Sequence, residues 1–257
     1  MSAISSAAAA APPSVRVQAA RLTYRGAVLF QDLTLEVPGG AWTCLLGPSG
    51  VGKSSLLRLI AGLAGAAASG TVAAGDGAPL RGRIAYLAQQ DLLLPWLSSL
   101  ENVALGARLR RGRVTPSDLA RARALLSELG LSEAAGNRPG TLSGGMRQRV
   151  ALARTLFEDR PVVLMDEPFS AVDAITRLML QDLAARLLAG RTVLMVTHDP
   201  MEALRLGHRV LVMAGRPAEI AAQIEPPGAP PRAITDPRLL PLQAELLRAL
   251  EAARLAA

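Results

Sequence analysis

The stretch "GPSGVGKSSL", residues 47–56, contains Lys53, and the chain has no other lysine. Every other residue in the Lys-plus-Arg total of 28 is arginine. A composition that uses arginine for positive charge everywhere else keeps lysine here, so this position is the first candidate for chemistry. The stretch fits G-x-x-x-x-G-K-[ST] from Gly47 to Ser54. Gly50 and Gly52 let the backbone curl until successive N–H groups face inward, and a following helix start adds its positive dipole end. Lys53 then reaches β- and γ-phosphate oxygens as a compact ammonium, where the wider planar guanidinium does not fit. Ser54 offers a hydroxyl to Mg²⁺, and Ser55 a contact to the α-phosphate.

A second group of reactive residues follows "VVLM", where Asp166 and Glu167 stand side by side. Carboxylates at the C-terminal end of a buried strand sit where open α/β sheets place their ligands. Asp166 is positioned for Mg²⁺ and Glu167 for polarising a water that attacks the γ-phosphate. "RTVLMVTHD" ends another apolar run in His198, a candidate sensor of the γ-phosphate. In "TLSGGMRQRV", Ser143 reads as an N-cap, with Gly144 and Gly145 exposing backbone N–H groups in the first helical turn. This is a second anion-binding helix start in a chain with one phosphate loop. One resolution is that it serves a nucleotide held by another copy.

The elements that position these residues are legible from periodicity. "AWTCLLG" has strand length, and "KSSLLRLIAGL" carries Leu56, Leu57, Ile60 and Leu63 at helical spacing. "TPSDLARARALLSELG" predicts a helix with Thr115 as cap, Pro116 first, Asp118 three residues past the cap and Gly130 closing it. Cys44, the one cysteine, reads as a buried core residue, and His208 as a surface helix-to-strand turn. The 257 residues are 50% hydrophobic and 19% charged, enough for a sizeable core. The net charge of +7 comes from dispersed arginines, with one dense run, "RLRRGR" at 108–113. With aromatics at 3%, few stacking platforms exist for nucleic acid, and that run reads as a solvated loop. "MSAISSAAAAAPPSV" lacks a signal peptide's basic and apolar regions and is expected to be a disordered arm. No window reaches the ~18 apolar residues of a membrane span.

Taken together, these residues resemble the nucleotide-binding subunit of an ABC transporter. Gly47, Pro48, Ser49, Gly50, Val51, Gly52, Lys53 and Ser54 match its Walker A loop, "VVLMDE" its Walker B strand and "LSGGM" its signature, with Met146 where glutamine is common. "SAVD" matches the D-loop, with Asp173 in its aspartate position, and His198 matches the switch histidine. Gln89, in "AQQDLLLPW", matches the Q-loop glutamine, with Gln90 as the alternative, and Tyr24 sits where the family stacks an aromatic on adenine. The resemblance covers residues 16–216. It implies an α/β P-loop core with an antiparallel β subdomain and a helical subdomain inserted at about 92–150. It also implies ATP and Mg²⁺ as cofactors, with Gln89 joining Ser54 and Asp166 at the metal, and two copies sandwiching two ATP molecules head to tail. Residues 1–15 are then the arm. Residues 217–257 are a proline-rich linker and an amphipathic helix with Leu239, Leu242, Leu246 and Leu250 on one face.

One ATPase unit without a membrane span implies separate permease subunits and a peripheral place on the cytoplasmic face of the cell membrane. A solute-binding protein is an indirect partner, and nucleic acid is not expected. "LSGGM" with "LLPW" resembles importers of the nitrate, sulfonate and taurine group, and the stretch after Asp173 inclines toward its thiamine-pyrimidine-precursor branch. "LLPWLSSLENVAL" is the expected docking segment for a permease helix, with Trp96 either half exposed or packed in the core. The competing reading is a soluble ATPase of the same class acting in translation or DNA repair. Such proteins usually carry two phosphate loops or a long coiled coil; this chain has one loop and no sustained heptads.

Overall fold

A strand with a near-continuous apolar run must be covered on both faces. Three strands of the computed structural model, which describes residues 11–24, 26–65 and 68–256, obey this: β3 (Trp42–Leu46), β6 (Val162–Asp166) and β7 (Thr192–Val196) are buried throughout. Their side chains alternate between two cores. Leu45, Leu164, Leu194 and Val196 face one, whereas Cys44, Leu46, Met165, Val193 and Met195 face the other. The central sheet has six strands in the order β5-β6-β7-β3-β8-β9, with β5 at Ile84–Leu87, β8 at Arg209–Ala214 and β9 at Glu219–Ile224. All adjacent pairs from β5 to β8 are parallel, and β9 closes the edge antiparallel to β8.

A separate antiparallel sheet, ordered β2-β1-β4, is built from β1 (Val15–Tyr24), β2 (Ala27–Val37) and β4 (Ala68–Ala74). Its apolar face and helix α1 (Lys53–Ile60) enclose the first core. The second core is covered by α2 (Ser99–Val103), α3 (Leu105–Arg111), α4 (Pro116–Glu128), α5 (Gly144–Phe157), α6 (Ala174–Leu187), α7 (Pro200–Leu206) and α8 (Leu239–Leu255). Helix α4 begins as predicted. The Thr115 hydroxyl accepts from the Asp118 N–H at 3.2 Å, the Asp118 carboxylate accepts from the Thr115 N–H at 2.9 Å, and Gly130 follows at φ 67°. Among the described residues no helix is long and apolar enough to cross a membrane.

Three expected boundaries move. The packed chain begins before residue 16: Pro13 is buried, its carbonyl accepts from the Thr192 hydroxyl at 2.8 Å, and Val15 opens β1. Residues 1–10 of the expected arm lie outside the described residues. The helical region does not stop at 150, because α5 runs unbroken to Phe157 and its buried Val150, Leu152 and Phe157 carry it beneath the sheet. The sheet does not stop at 216, because β9 pairs Ile224 with Val210 in the segment expected to be linker.

The tail then folds back. Leu239 and Leu246 of α8 are fully buried, and Leu242 and Leu250 pack beside them. One residue fastens it: Arg232 is 4% exposed and donates to five carbonyls, those of Leu204, Gly207, Pro226, Pro227 and Gly228, at 2.6–2.8 Å. A cation on the last carbonyls of α7 satisfies that helix end and meets the negative end of its dipole. Cys44 lies sealed beneath this region, its thiol pushed well up by burial, with Glu202 adding to the shift. His208 sits in the α7–β8 turn, where its Nδ1 accepts from the Trp42 N–H at 3.0 Å.

Candidate active site

The strand order decides which loops meet. β5, β6, β7 and β3 are neighbours and point the same way, so their C-terminal ends form one continuous rim. Gln89 follows β5, Asp166 and Glu167 end β6, His198 follows β7, and the phosphate loop follows β3.

The loop's shape is fixed by glycine where no other residue fits. Gly47 has φ 151°, and a Cβ there would lie 2.4 Å from the Met213 carbonyl at the end of β8. Gly52 turns the chain into α1 at φ 116° and packs against Phe30 of β2. The first turn of α1 carries no acidic residue, so its N–H groups and dipole are left for an anion. Lys53 folds back into the loop and donates to the carbonyls of Gly47 at 2.7 Å and Pro48 at 2.8 Å. Burial lowers its pKa, opposed by the nearby carboxylates of Glu167 and Asp166.

Asp166 is 2% exposed. Burial raises its pKa against a hydrogen bond from the Ser54 hydroxyl, and its Oδ1 has no hydrogen-bond partner. A buried carboxylate oxygen without a partner, beside a hydroxyl, suits a hard divalent cation with oxygen ligands. Asp166 and Ser54 therefore fit Mg²⁺. Glu167 lies one residue further in a left-handed backbone conformation, φ 51°, and its N–H donates to the Val196 carbonyl at 2.9 Å. Its Oε2 is 3.5 Å from Nδ1 of His198, whose side chain is 64% exposed. The rim thus brings together an ammonium, a buried carboxylate with an unpartnered oxygen, a second carboxylate and an imidazole.

Other expected residues stand apart from this cluster. Gln89 is exposed and lines a cleft of about 410 Å³ with Gly144, Gln148, Pro168 and Ser170, a cleft to which no phosphate-loop residue contributes. Ser143 and Gly144 are exposed at the start of α5, where the Ser143 hydroxyl accepts from the Met146 N–H at 3.2 Å. Gly145 abuts Ala171 and Val172, so the signature packs on the D-loop of its own chain. Asp173 caps α6, accepting from the Thr176 N–H at 3.0 Å, a bond that holds its carboxyl below the usual range. Tyr24 is 57% exposed at the end of the β1–β2 hairpin, whose Phe30 touches the phosphate loop.

Two residues that hold the surroundings carry no motif signal. Gln148 joins α5 to the loop after Glu167, and Asn102, fully buried, gathers the loop from Leu94 to Ser98. Asn102 accepts from the Leu94 N–H at 2.8 Å and donates to the carbonyls of Leu94, Leu97 and Ser98. Trp96, on that loop, is 65% exposed, and Leu92, earlier in the same segment, 59%. The core-packed alternative for Trp96 does not hold.

The fold and this rim define a P-loop nucleoside triphosphatase. The chain belongs to the ABC transporter family: that family's model matches residues 30–170. An uncharacterized ABC transporter ATP-binding protein of Haemophilus influenzae is 44% identical over 239 residues, covering 92% of this chain and 98% of that protein. The aliphatic sulfonates import ATP-binding protein SsuB 2 of Burkholderia cenocepacia is 42% identical, covering 94% of this chain and 88% of its own length. Among solved structures, the dimeric post-hydrolysis state of the ATP-binding cassette MJ0796 bound to ADP and Pi superposes with a TM-score of 0.73. It is 30% identical and covers 83% of this chain and 99% of that one.

Proposed function

We propose that the chain is the ATP-hydrolysing subunit of an importer of aliphatic sulfonates or similar small anionic solutes, working through separate permease subunits. The observation that carries the catalytic part is the meeting of Lys53, Asp166, Glu167 and His198 on adjacent strand ends. Lys53 leaves the Gly47 and Pro48 carbonyls for the β- and γ-phosphates, while backbone N–H groups of Gly50–Ser55 hold the remaining oxygens and Ser55 meets the α-phosphate. Asp166 and Ser54, with Gln89 brought in from its cleft, hold Mg²⁺, which when bound neutralises charge on the phosphate oxygens. Glu167 takes a proton from the attacking water, and His198 donates to the γ-phosphate. Tyr24 stacks on adenine.

Ser143 and Gly144 are exposed, and the cleft that Gly144 lines holds no residue of the chain's own phosphate loop, which supports pairing with a second copy whose nucleotide the signature of Ser143, Gly144 and Gly145 grips, with Asp173 at the seam. Relatives named for sulfonate import support that solute class over the thiamine-precursor branch, and import over a soluble role in translation or repair. In this reading the protein lies peripherally on the inner face of the membrane, with Trp96 against the permease. The test is co-purification from membranes with permease subunits, followed by reconstitution in proteoliposomes. Import of an alkanesulfonate that requires ATP and Glu167 supports the reading. A chain that hydrolyses ATP but never purifies with a membrane protein overturns the transport part.

A further inference from the structure

Gln148 uses both ends of its amide on a single loop. Its Nε2 donates to the Glu167 carbonyl at 2.9 Å and to the Ser170 hydroxyl oxygen at 3.3 Å, and its Oε1 accepts from the Ala171 N–H at 2.9 Å. The Glu167 carbonyl also accepts from the Ser170 hydroxyl at 3.1 Å. This loop needs such holding. Glu167 is a non-glycine residue at φ 51°, a conformation unfavourable for an L-residue that persists only where surrounding bonds fix it. On the other side, the Glu167 N–H is fixed to Val196 of β7. The peptide groups flanking Glu167 are therefore held by two different elements, and the direction of its carboxylate toward the rim follows.

We infer that Gln148 is a positioning residue that holds Glu167 in this strained backbone and so aims its carboxylate at the attacking water. The inference rests on Glu167 being the general base. Gln148 does not touch the phosphate loop and lies on α5, five residues beyond Ser143. The helix that presents the signature outward is thus the same helix that sets the base inward.

The experiment measures ATP turnover by the full-length chain carrying Gln148→Leu or Gln148→Glu, each alone and with Glu167→Gln. Leucine removes all three bonds. Glutamate keeps length and the acceptor for Ala171, but sets an oxygen against the Glu167 carbonyl. A carboxylate displaced by about 1 Å loses on the order of 100-fold in rate. Both variants should therefore lower kcat by that order and leave the KM for ATP and the unfolding temperature close to wild type. Added to Glu167→Gln, either should change the residual rate by less than about threefold, because residues acting as a unit are not additive. The proposal falls if either folded variant turns over within about threefold of wild type. It falls if the losses multiply in the double variant, or if the change appears in KM. It also falls if neither variant folds, which would make Gln148 a structural support. A failure of the underlying reading shows separately, as a Glu167→Gln single variant that hydrolyses ATP normally.

Discussion

Glu167 and His198 face each other across β6 and β7, with Oε2 and Nδ1 3.5 Å apart. The contact is set by register: Asp166 pairs with Val196 in the parallel ladder, so the residues just beyond each strand end emerge side by side. A carboxylate and an imidazole in this relation present an acceptor and a ring nitrogen to the same side of the rim. Glu167→Gln keeps the shape and removes the base. The expected loss in kcat is about 10²–10⁴-fold with ATP affinity retained, and an ATP-bound dimer should accumulate on size exclusion. His198→Ala leaves the base and should cost less. Turnover by Glu167→Gln at the wild-type rate would assign the proton transfer elsewhere.

Lys53→Arg tests whether charge alone is enough. The ammonium sits within 2.8 Å of two loop carbonyls. A guanidinium occupies more of that cradle and displaces the γ-phosphate, with a loss on the order of 100-fold. The single lysine allows a second measurement: an amine-directed reagent should abolish hydrolysis, and Mg-ATP should protect. Normal activity and affinity in Lys53→Arg would make the retained lysine incidental.

Trp96 stands 65% exposed on a loop whose shape is set by buried Asn102 rather than by the indole. Trp96→Ala should therefore leave folding and basal hydrolysis unchanged and lower permease-coupled transport by about tenfold or more, as loss of an interface anchor does. Equal transport by the variant would remove Trp96 from the docking surface.

Glu202 gives the expected pH dependence. It is buried on α7, accepts from Gln181 Nε2 at 2.8 Å, and burial raises its pKa against hydrogen bonds from Thr197 and Gln181. A carboxyl that binds its proton more tightly folded than unfolded destabilises the protein once ionised. That penalty is absent below the ordinary glutamate value, develops as pH rises toward the raised folded value, and is complete above it. Glu202→Gln should be more stable than wild type at neutral pH, by roughly 2–4 °C for each kcal/mol relieved, and equal to it in acid. Thermal unfolding from pH 4 to 8 measures this, and parallel curves for the two proteins would show that Glu202 ionises without cost.

The cluster on the rim was legible because its signals are local. Glycine spacing before Lys53, four apolar residues before Asp166 and an apolar strand two residues before His198 each lie within one short stretch. The caps at Thr115 and Ser143 were legible for the same reason. Gln148 was not, although it stands inside a quoted motif, because its partners lie 19 to 23 residues away and an amide carries no periodic signature. Arg232 is harder still. In a chain full of arginines, only the folded backbone reveals which one meets five carbonyls. The edge strand β9 was missed because its pattern of half-buried alanine and isoleucine after a proline resembles linker.

The anchoring of α8 has a consequence for biosynthesis. Translation delivers β8 and β9 before Arg232 and the leucines of α8, yet Val210, Val212 and Ile224 share a core with Leu239 and Leu246. At about 5–20 residues per second, the ribosome leaves that apolar face bare for roughly a few seconds. Throughout that interval the carbonyls at the end of α7 also await their cation. The nascent cassette therefore passes through a stage with every nucleotide motif already made and one side of its sheet open.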